Sequence, residues 1–326
     1  MIIINRPQTD PYFNLAAEEY LIKNTTEPLF MLWQNASAVV IGKHQNALKE
    51  INLQFLQEKN IPVIRRISGG GTVYHDLGNL NYSFINFGAR ESLVNFKKYS
   101  APILEVLHSI GVNAELVGKS DLKIKGFKFS GNASHVYKNK VLHHGTLLFS
   151  SELNTLNSSI QSKVNQFSDK AVASNRSAVT NIHSHLPIEL SLQEFQNAII
   201  SHILDKFPDT TVRDFTAFEL EAIYALAETK YKTWEWNFGY SPRYQYKGIL
   251  TVTKTHYPFR LEIKNGKIES ITFDAHTTDY LLEFQRIILG NLHQTNALTV
   301  LYDQHIDFFK SLKINKSNFL KALFGI

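Results

Sequence analysis

The N-terminal part of the chain carries the hydrophobic patterns of both helices and strands. Asp10 and Pro11 are typical of a helix start, and the apolar residues after them recur at helical spacing, which predicts a helix with one buried face. The apolar segment 30–41 predicts two buried strands, and segment 61–67 predicts another. Residues 79–84 alternate between large apolar side chains and asparagine or serine, which predicts a half-buried strand.

Two further helices have recognisable ends. A helical stripe of apolar residues stops at residue 110, and Gly111 follows in the position where a glycine ends many helices. Ser191 and Glu194 form a capping box ahead of a third apolar stripe. Strands and helices alternate without the regular rhythm of parallel βαβ units, so the sequence predicts an α+β fold with a mixed or antiparallel sheet.

The length of the chain, 326 residues, favours two domains. Residues 240–248 are rich in turn-forming types, and beyond them 249–253 and 261–273 predict a small β-meander followed by helices. We predict a large domain over residues 1–240 and a small α/β C-terminal domain over 248–326. We also take the turn-rich segment as a hinge hypothesis.

Composition and charge exclude several classes of protein. Hydrophobic residues make up 44% and charged residues 19%, so a globally disordered chain is excluded. The net charge of +5 favours an acidic partner, but lysine and arginine are scattered and no nucleic-acid motif is present. The chain has no cysteine, which excludes disulfides, thiolate metal sites and thioester intermediates. No leader or membrane-length apolar run is visible, so we expect a cytoplasmic protein with no membrane or nucleic-acid partner.

A glycine loop is the most informative segment. Arg65 and Arg66 precede Ser68, and three consecutive glycines, Gly69 to Gly71, follow between two strand-like segments. A tight hairpin turn needs only one or two glycines, whereas bare backbone N–H groups beside arginines suit phosphate or carboxylate. The pattern matches neither the P-loop nor the Rossmann fingerprint. An anion site and a structural turn both stay open on spacing alone.

A second cluster lies between residues 119 and 148. Lys128 stands between two phenylalanines and just before a Ser-Gly turn, so it could be held rigidly, although a strand lysine is more often an ordinary surface residue. His143 and His144 are adjacent, and adjacent strand residues point to opposite faces, which disfavours a shared metal ion.

These clusters closely resemble lipoate–protein ligases of the biotin/lipoate ligase family. The motifs that carry the resemblance, in the order of the family, are Val40-Ile-Gly42-Lys-His44, Arg65-Arg66-x-Ser68-Gly-Gly-Gly71-x-Val-Tyr-His75-Asp76-x-Gly78-Asn79, Ser120-Asp121-Leu122, Lys128-x-Ser130-Gly131 and His143-His144-Gly145-Thr146. The resemblance extends over essentially the whole chain and includes a C-terminal accessory domain.

The resemblance implies a fold related to biotin ligases and class II aminoacyl-tRNA synthetases, with residues 1–240 as the catalytic domain. It implies that lipoate and ATP form lipoyl-AMP with Mg²⁺, and that a lysine of an acceptor protein then attacks the mixed anhydride. The implied acceptors are the apo lipoyl domains of 2-oxoacid dehydrogenase E2 subunits and the glycine-cleavage H protein. We expect a monomer.

Site residues follow from matching positions in the family motifs. Lys128 corresponds to the catalytic lysine, which also contacts the substrates. Asp121 is expected either to bind Mg²⁺ or to orient Lys128, and a structural carboxylate at a turn is nearly as good an explanation. The other expected binding residues are Arg66, Gly70, Gly71, Thr72, Val73, Tyr74, His75 and Asn79. We expect His75 to brace the loop and not to act as a base.

A slot for lipoate and one alternative enzyme function stay open. Trp33, Val40, Ile41 and His44 are candidates to line an apolar slot, although core packing explains them equally well. The absence of cysteine excludes the thioester route of octanoyltransferases, and the Ser-Gly-Gly-Gly loop differs from that of biotin ligases. A lipoyltransferase that uses preformed lipoyl-AMP shares the same motifs and remains the alternative.

Overall fold

The computed structural model describes residues 1–5, 8–89, 93–161, 165–175, 177–274 and 276–326. The contacts of the chain divide it into two compact units. The first unit comprises Met1–Lys43, Ile61–Ile160 and Ser174–Thr233, and the second comprises His44–Asn60, Gln161–Ala173 and Trp234–Ile326. The domain boundaries expected from the sequence stay a prediction.

The strands and helices are numbered in chain order. The strands are β1 (Ile2–Ile4), β2 (Leu29–Trp33), β3 (Ala38–Ile41), β4 (Val63–Arg65), β5 (Val73–His75), β6 (Asn79–Phe87), β7 (Ala114–Val117), β8 (Asp121–Ile124), β9 (Phe127–Tyr137), β10 (Lys140–Leu148), β11 (Phe167–Asp169), β12 (Thr211–Arg213), β13 (Tyr244–Val252), β14 (Thr255–Lys264) and β15 (Lys267–Phe273). The helices are α1 (Pro11–Asn24), α2 (Ala47–Glu50), α3 (Leu53–Glu58), α4 (Phe96–Ser109), α5 (Leu153–Ser159), α6 (Leu192–Lys206), α7 (Ala217–Leu226), α8 (Asp279–Ile288), α9 (Thr295–Gln304), α10 (Ile306–Ser311) and α11 (Lys316–Phe324). Short π-type turns at Ala227–Tyr231 and Glu235–Gly239 and a 3₁₀ turn at Ile182–His185 complete the described elements.

The first unit is built on two mixed sheets. The larger has the strand order β12-β1-β2-β6-β10-β9-β8-β7, in which β12, β1 and β2 run parallel and the other neighbours run antiparallel. The smaller has the order β4-β3-β5, with β3 parallel to β4 and antiparallel to β5. The predicted α+β class with a mixed sheet is confirmed.

The core of this unit lies between the large sheet and two of the predicted helices. Buried residues of β6 and β9, such as Tyr82 and Phe129, form one cluster with Ile103 of α4 and Phe195 of α6. Both helices have the predicted ends: Gly111 follows α4 with a φ of +81°, and Ser191 and Glu194 form the capping box of α6.

Helix α1 and strand β6 differ from their predicted burial. Asp10 caps α1 by accepting a hydrogen bond from the backbone N–H of Tyr12 at 2.9 Å, as expected. However, α1 is buried on most of its circumference, including the carboxylates of Glu18 and Glu19. Strand β6 is likewise buried on both faces over most of its length, so the prediction of a half-buried strand is wrong. Helix α1 covers the polar face of β6, and Ser83 on that face donates a hydrogen bond to Glu18 of the helix.

The second unit contains the predicted meander. Its sheet has the order β11-β13-β14-β15, and helix α11 packs its buried residues, among them Phe319 and Leu323, into the aromatic core of the unit. Strand β13 begins at Tyr244, inside the segment 240–248 of the hinge hypothesis. A hinge there would have to bend a paired strand. No helix among the described residues combines the length and the apolar character needed to cross a bilayer.

Candidate active site

The glycine loop connects β4 to β5 in the first unit. Gly70 has a φ of +89°, a conformation that favours glycine. Gly42, which follows β3, lies so close to the loop that a Cβ atom there would stand 2.1 Å from the carbonyl oxygen of Gly70. Two segments that are distant in sequence therefore meet backbone to backbone, which explains the absence of a side chain at Gly42. At Gly70 the positive φ and Arg66 Nη2, which would stand 2.9 Å from a Cβ atom, account for the glycine.

The buried guanidinium of Arg66 holds this loop from inside. Its Nη2 donates to the carbonyl oxygens of Gly69 at 2.6 Å and Gly71 at 2.7 Å, its Nε donates to Ser68 Oγ at 3.0 Å, and its Nη1 donates to the carbonyl oxygen of Val40 at 3.2 Å. Burial lowers the pKa of Arg66 to about 10, so the side chain stays charged at neutral pH. Fixed carbonyl groups in turn fix the peptide planes, and therefore the directions of the loop N–H groups.

A chain of buried hydrogen bonds continues from this arginine to helix α1. Ser68 Oγ and His144 Nε2 lie 2.6 Å apart, and His144 Nδ1 lies 2.8 Å from Glu18 Oε1. Glu18 also accepts a hydrogen bond from Ser83 Oγ at 2.6 Å, and Ser83 accepts one from Trp33 Nε1 at 2.8 Å. Every group is satisfied if Ser68 donates to Nε2 of His144 and the Nδ1–H of His144 donates to Glu18. We call Arg66, Ser68, His144 and Glu18 the buried relay.

The buried relay is also an electrostatic unit. Glu18 is 1% exposed and Arg66 is 6% exposed, so each carries its charge into a region that water scarcely reaches. A buried charge is tolerated when an opposite charge and hydrogen bonds compensate it. The carboxylate of Glu18 opposes the lowering of the pKa of Arg66, as expected for such compensation.

His75 and Asn79 lie in the interior and do not line the cavity described below. Nδ1 of His75 accepts a hydrogen bond from Asn35 Nδ2 at 2.9 Å, and burial lowers the pKa of His75 to about 3. A neutral, enclosed ring fits a bracing role and not that of a base. Asn79 donates to Asn81 Oδ1 at 3.0 Å. Whether either residue contacts a substrate stays a prediction.

Lys128 is held in place by three neighbours. Its Nζ lies 2.8 Å from Asp121 Oδ1, and a Cβ atom placed on Gly131 would stand 3.2 Å from that same Nζ. Its backbone pairs with the segment that follows residue 174, because its N–H donates to the carbonyl oxygen of Ala178 at 2.9 Å and its own carbonyl accepts from Thr180 at 3.0 Å. The lysine side chain is 24% exposed, so the ammonium group is fixed but reachable.

A cavity of about 280 Å³ opens beside Lys128. Its size is near the lower end of small-molecule sites. Its lining residues come from the glycine loop and β5, from β9 and β10, from α5 and from the segment after residue 174: Thr72, Val73, Tyr74, Lys128, Phe129, Ser130, Gly131, Thr146, Leu148, Leu156, Asn157, Ile160, Ser174, Asn175, Ser177 and Val179. The lining joins apolar side chains to polar groups and one cation.

The structure brings part of the expected site together. Thr72, Val73, Tyr74 and Lys128 share the cavity, and Asp121 reaches it through its ion pair with Lys128. Gly71 borders the same region, since a Cβ atom on it would stand 3.1 Å from Ser174 Oγ. Arg66 is buried next to the carbonyl groups of the loop and does not line the cavity.

The segment after residue 174 was missed by the sequence analysis. Ser174 Oγ accepts a hydrogen bond from the backbone N–H of Thr72 at 2.9 Å, so this segment packs directly on the glycine loop. Leu156 and Ile160 of the α5 region were missed as well. The available signal was weak, because serine and asparagine in an irregular stretch are typical of any loop.

The four residues proposed for an apolar slot do not all belong to the same unit. Trp33, Val40 and Ile41 are buried in the first unit, whereas His44 is exposed and belongs to the second. No three histidine, cysteine, aspartate or glutamate side chains converge as a preformed metal site among the described residues. Asp121 therefore belongs to no preformed set of three such side chains there, and its role as a Mg²⁺ ligand stays a prediction.

The comparison with known protein families assigns this fold to the catalytic domain of a ligase. A family model described as "Lipoyl protein ligase A/B catalytic domain" matches residues 10–204. The chain belongs to this family, and the identification of a lipoate–protein ligase from sequence motifs is confirmed.

Known relatives extend this similarity over the full length. The chain is 34% identical over 331 residues to the lipoate–protein ligase LplJ of Bacillus subtilis, with 99% of this chain and 100% of the relative covered. A solved lipoate–protein ligase A bound with ATP is 25% identical, with a TM-score of 0.62, 73% of this chain covered and 98% of that chain. The solved structure of P. falciparum LipL1 in complex with lipoate has a TM-score of 0.63 at 24% identity and covers 100% of this chain and 98% of that chain. The last similarity extends the shared fold to the C-terminal unit.

Proposed function

We propose that this chain attaches lipoate to a lysine of acceptor proteins in two steps at one site. In the first step a carboxylate oxygen of lipoate attacks the α-phosphorus of ATP, the bond to the β-phosphate breaks, and pyrophosphate leaves. In the second step the amine of the acceptor lysine attacks the acyl carbon, an amide forms, and AMP leaves while the amine loses a proton. The observation that carries the proposal is the fixed Lys128 at a cavity bordered by the glycine loop.

Lys128 is the proposed catalytic residue. Negative charge develops on the α-phosphate oxygens as the carboxylate attacks, and a fixed cation stabilises that charge more than a mobile one. The ion pair with Asp121 at 2.8 Å and the packing against Gly131 support this role because they restrict where the ammonium group lies. The same ammonium can contact the carboxylate and the phosphate and so align the two reactants.

The glycine loop is the proposed cradle for the nucleotide. We infer that backbone groups of Gly70 and Gly71 face phosphate oxygens, that Thr72, whose backbone N–H is bonded to Ser174 Oγ, contacts the nucleotide through its side chain, and that Val73 and Tyr74 contact the base or ribose. The position of the last two residues on the cavity wall supports the last part of this inference. Arg66 is proposed to act through the loop, since its donors are directed at loop carbonyls. His75 and Asn79 are proposed to support the loop from the interior.

Asp121 is proposed to orient Lys128 and to help bind Mg²⁺. Mg²⁺ is commonly held by one or two carboxylates together with substrate phosphates, so a single carboxylate at this position fits the ion without a preformed protein cage. When bound, the ion would neutralise phosphate charge. Among the residues of this chain, Asp121 would hold it while keeping Lys128 in place.

The proposed acceptors are the apo lipoyl domains of 2-oxoacid dehydrogenase E2 subunits and the glycine-cleavage H protein. We propose a cytoplasmic monomer that needs no membrane or nucleic acid. The relatives are named for ligation of lipoate to protein, which supports a protein acceptor in general.

The deciding experiment is pyrophosphate release by the purified protein with ATP, Mg²⁺ and lipoate, first without an acceptor. We expect a lipoate-dependent burst, followed by lipoylation when an apo lipoyl domain is added. Omission of lipoate gives the background rate. If no burst occurs while synthetic lipoyl-AMP still lipoylates the acceptor, the adenylation half of the proposal is wrong and the chain is a lipoyltransferase.

A further inference from the structure

Helix α1 carries two consecutive buried carboxylates that have different partners. Glu18 belongs to the buried relay. Glu19 instead accepts hydrogen bonds from the ammonium groups of Lys23 and Lys230 and from the hydroxyl of Tyr231, each at 2.6 Å. The two carboxylates share a helix, a charge and a high degree of burial, so they differ chiefly in the segment that each one holds.

The carboxylate of Glu18 is fixed to the middle of the large sheet. Ser83 of β6 and His144 of β10 stand directly opposite each other on neighbouring strands, and both bind this carboxylate. The hydroxyl of Ser83 is itself oriented, because it accepts a hydrogen bond from Trp33 Nε1 at 2.8 Å. One end of the buried relay is therefore held by paired strands.

The hydrogen bonds of the buried relay run in one direction. A carboxylate only accepts, so a ring of His144 with one proton carries that proton on Nδ1, facing Glu18. Nε2 is then an acceptor, and Ser68 Oγ, 2.6 Å away, has to donate to it. The lone pairs of Ser68 are left for Arg66 Nε, which donates to them at 3.0 Å. The charge of Glu18 thus sets the orientation of the hydroxyl group that receives Arg66.

The other end of the buried relay is the glycine loop. Three consecutive glycines have little conformational preference of their own, so the loop depends on external contacts for a single conformation. Arg66 supplies two of these contacts through the carbonyl oxygens of Gly69 and Gly71. A buried guanidinium needs a compensating charge, and the carboxylate of Glu18 acts on it.

We propose that Glu18 and His144 are positioning residues for adenylation, which act on the glycine loop through Ser68 and Arg66. This inference rests on the proposed function and adds two residues to it. Glu18 and His144 lie outside the lining of the cavity, so their effect reaches the reacting groups through the loop. A loop with fixed N–H groups stabilises developing phosphate charge without reorganisation during the reaction.

The test compares Glu18→Gln with Glu19→Gln. Each variant removes one buried carboxylate charge from the same helix at nearly constant volume. Amide hydrogen exchange of segment 66–72 is measured in the ligand-free proteins, where the N–H of Arg66 is bonded to Ile41 and that of Thr72 to Ser174. The kcat and KM values of lipoate-dependent pyrophosphate release and urea unfolding are measured in parallel.

We expect Glu18→Gln to raise the exchange rate of segment 66–72 by about 10-fold and to lower kcat by about 10-fold, as loss of a hydrogen bond to a charged group predicts. Glu19→Gln should lower stability to urea but leave loop exchange and kcat within about twofold of the wild type. Equal changes of loop exchange in the two variants would overturn the proposal, because both carboxylates would then be merely structural.

Ser68→Ala interrupts the buried relay at its loop end by removing a single oxygen atom, and it serves as the test if Glu18→Gln does not fold. We expect the same rise in loop exchange, and unchanged exchange would overturn the proposal. A double-mutant cycle then identifies the route. Glu18→Gln with Ser68→Ala should have a kcat within about twofold of the lower single variant. A loss equal to the product of the two single losses would show that Glu18 does not act through Ser68.

The outcomes separate the positioning role from the proposed function. If the wild type releases no lipoate-dependent pyrophosphate while Glu18→Gln still loosens segment 66–72, adenylation fails and the action of the buried relay on the loop stands. If release by the wild type is normal and Glu18→Gln changes neither loop exchange nor kcat, the positioning role fails and the ligase function stands. A change confined to the KM for lipoate would also overturn it, since it would indicate direct contact of Glu18 with that substrate.

Discussion

Substitution of Gly42 by alanine should displace the glycine loop without touching any residue of the cavity. The added Cβ atom would stand 2.1 Å from the carbonyl oxygen of Gly70 and 3.3 Å from Nη2 of Arg66. Non-bonded carbon and oxygen atoms need more than about 3 Å between them, so the loop must retreat by roughly 1 Å. The atom that moves belongs to the backbone, and rotation of a side chain cannot relieve the contact.

The expected effect on rate follows from that distance. A misplacement of about 1 Å in a catalytic arrangement costs on the order of 10²-fold in rate. The hydrogen bonds from Arg66 to the carbonyl groups of Gly69 and Gly71 are strained at the same time, because those groups move with Gly70. We therefore expect lipoate-dependent pyrophosphate release by Gly42→Ala to fall by about 10²-fold.

Gly69 provides a matched control in the same loop. A Cβ atom there meets no atom within 4 Å, so Gly69→Ala adds the same methyl group without displacing the backbone. Both variants should be compared with the wild type for kcat of pyrophosphate release and for urea unfolding. We expect Gly69→Ala to stay within about twofold of wild-type kcat. The reasoning is refuted if Gly42→Ala also stays within twofold, or if the two variants lose the same amount.

Three more substitutions test the site and its surroundings. Lys128→Ala should remain folded and lose about 10²- to 10³-fold in pyrophosphate release, and a nearly normal rate would remove Lys128 from the catalytic role. Asp121→Asn should lose about 10-fold because it breaks the 2.8 Å ion pair. A Mg²⁺ titration of this variant then separates the two roles of Asp121. A raised Mg²⁺ requirement indicates that Asp121 is a ligand, whereas an unchanged Mg²⁺ requirement with a reduced rate indicates that it orients Lys128. An unchanged rate contradicts both roles. Burial lowers the pKa of His143 to about 3 from an ordinary value of 6.5. On acidification this histidine therefore takes up a proton first in the unfolded chain. The free energy of unfolding consequently falls as the pH drops from about 6.5 towards 3. Between pH 6.5 and pH 5, the free energy of unfolding measured with urea should therefore fall by about 2 kcal/mol less for His143→Phe than for the wild type. An identical pH dependence of the two proteins would show that this histidine contributes nothing to the pH dependence of stability.

Local features of the chain could be predicted because they depend on neighbours in sequence. Asp10 before Pro11, Gly111 after α4 and the capping box at Ser191 are all found at the expected helix ends. The reason is that a helix end is set by groups within three or four residues, which the sequence places in order. The glycine loop and Lys128 were recognised for a different reason, since they match family motifs residue by residue.

The burial of polar groups could not be predicted in this way. Glu18 occupies a helix position that a pattern treats as a solvated face, and strand β6 alternates as though one face met water. Both are enclosed because Glu18 meets Ser83 and His144, which lie 65 and 126 residues away in sequence. Ser68 meets His144 across 76 residues, and Thr72 meets Ser174 across 102.

The sequence by itself determined the family and the ends of several helices. Only the tertiary structure decided that Arg66 is directed at carbonyl groups of the loop and that the segment after residue 174 covers it. The physical reason is that a buried charge or a bare backbone segment is stable only when a partner compensates it, and that partner may come from any part of the chain. Sequence neighbours set the local backbone conformation. The partners that compensate buried charges and bare backbone groups depend on which distant segments the fold brings into contact.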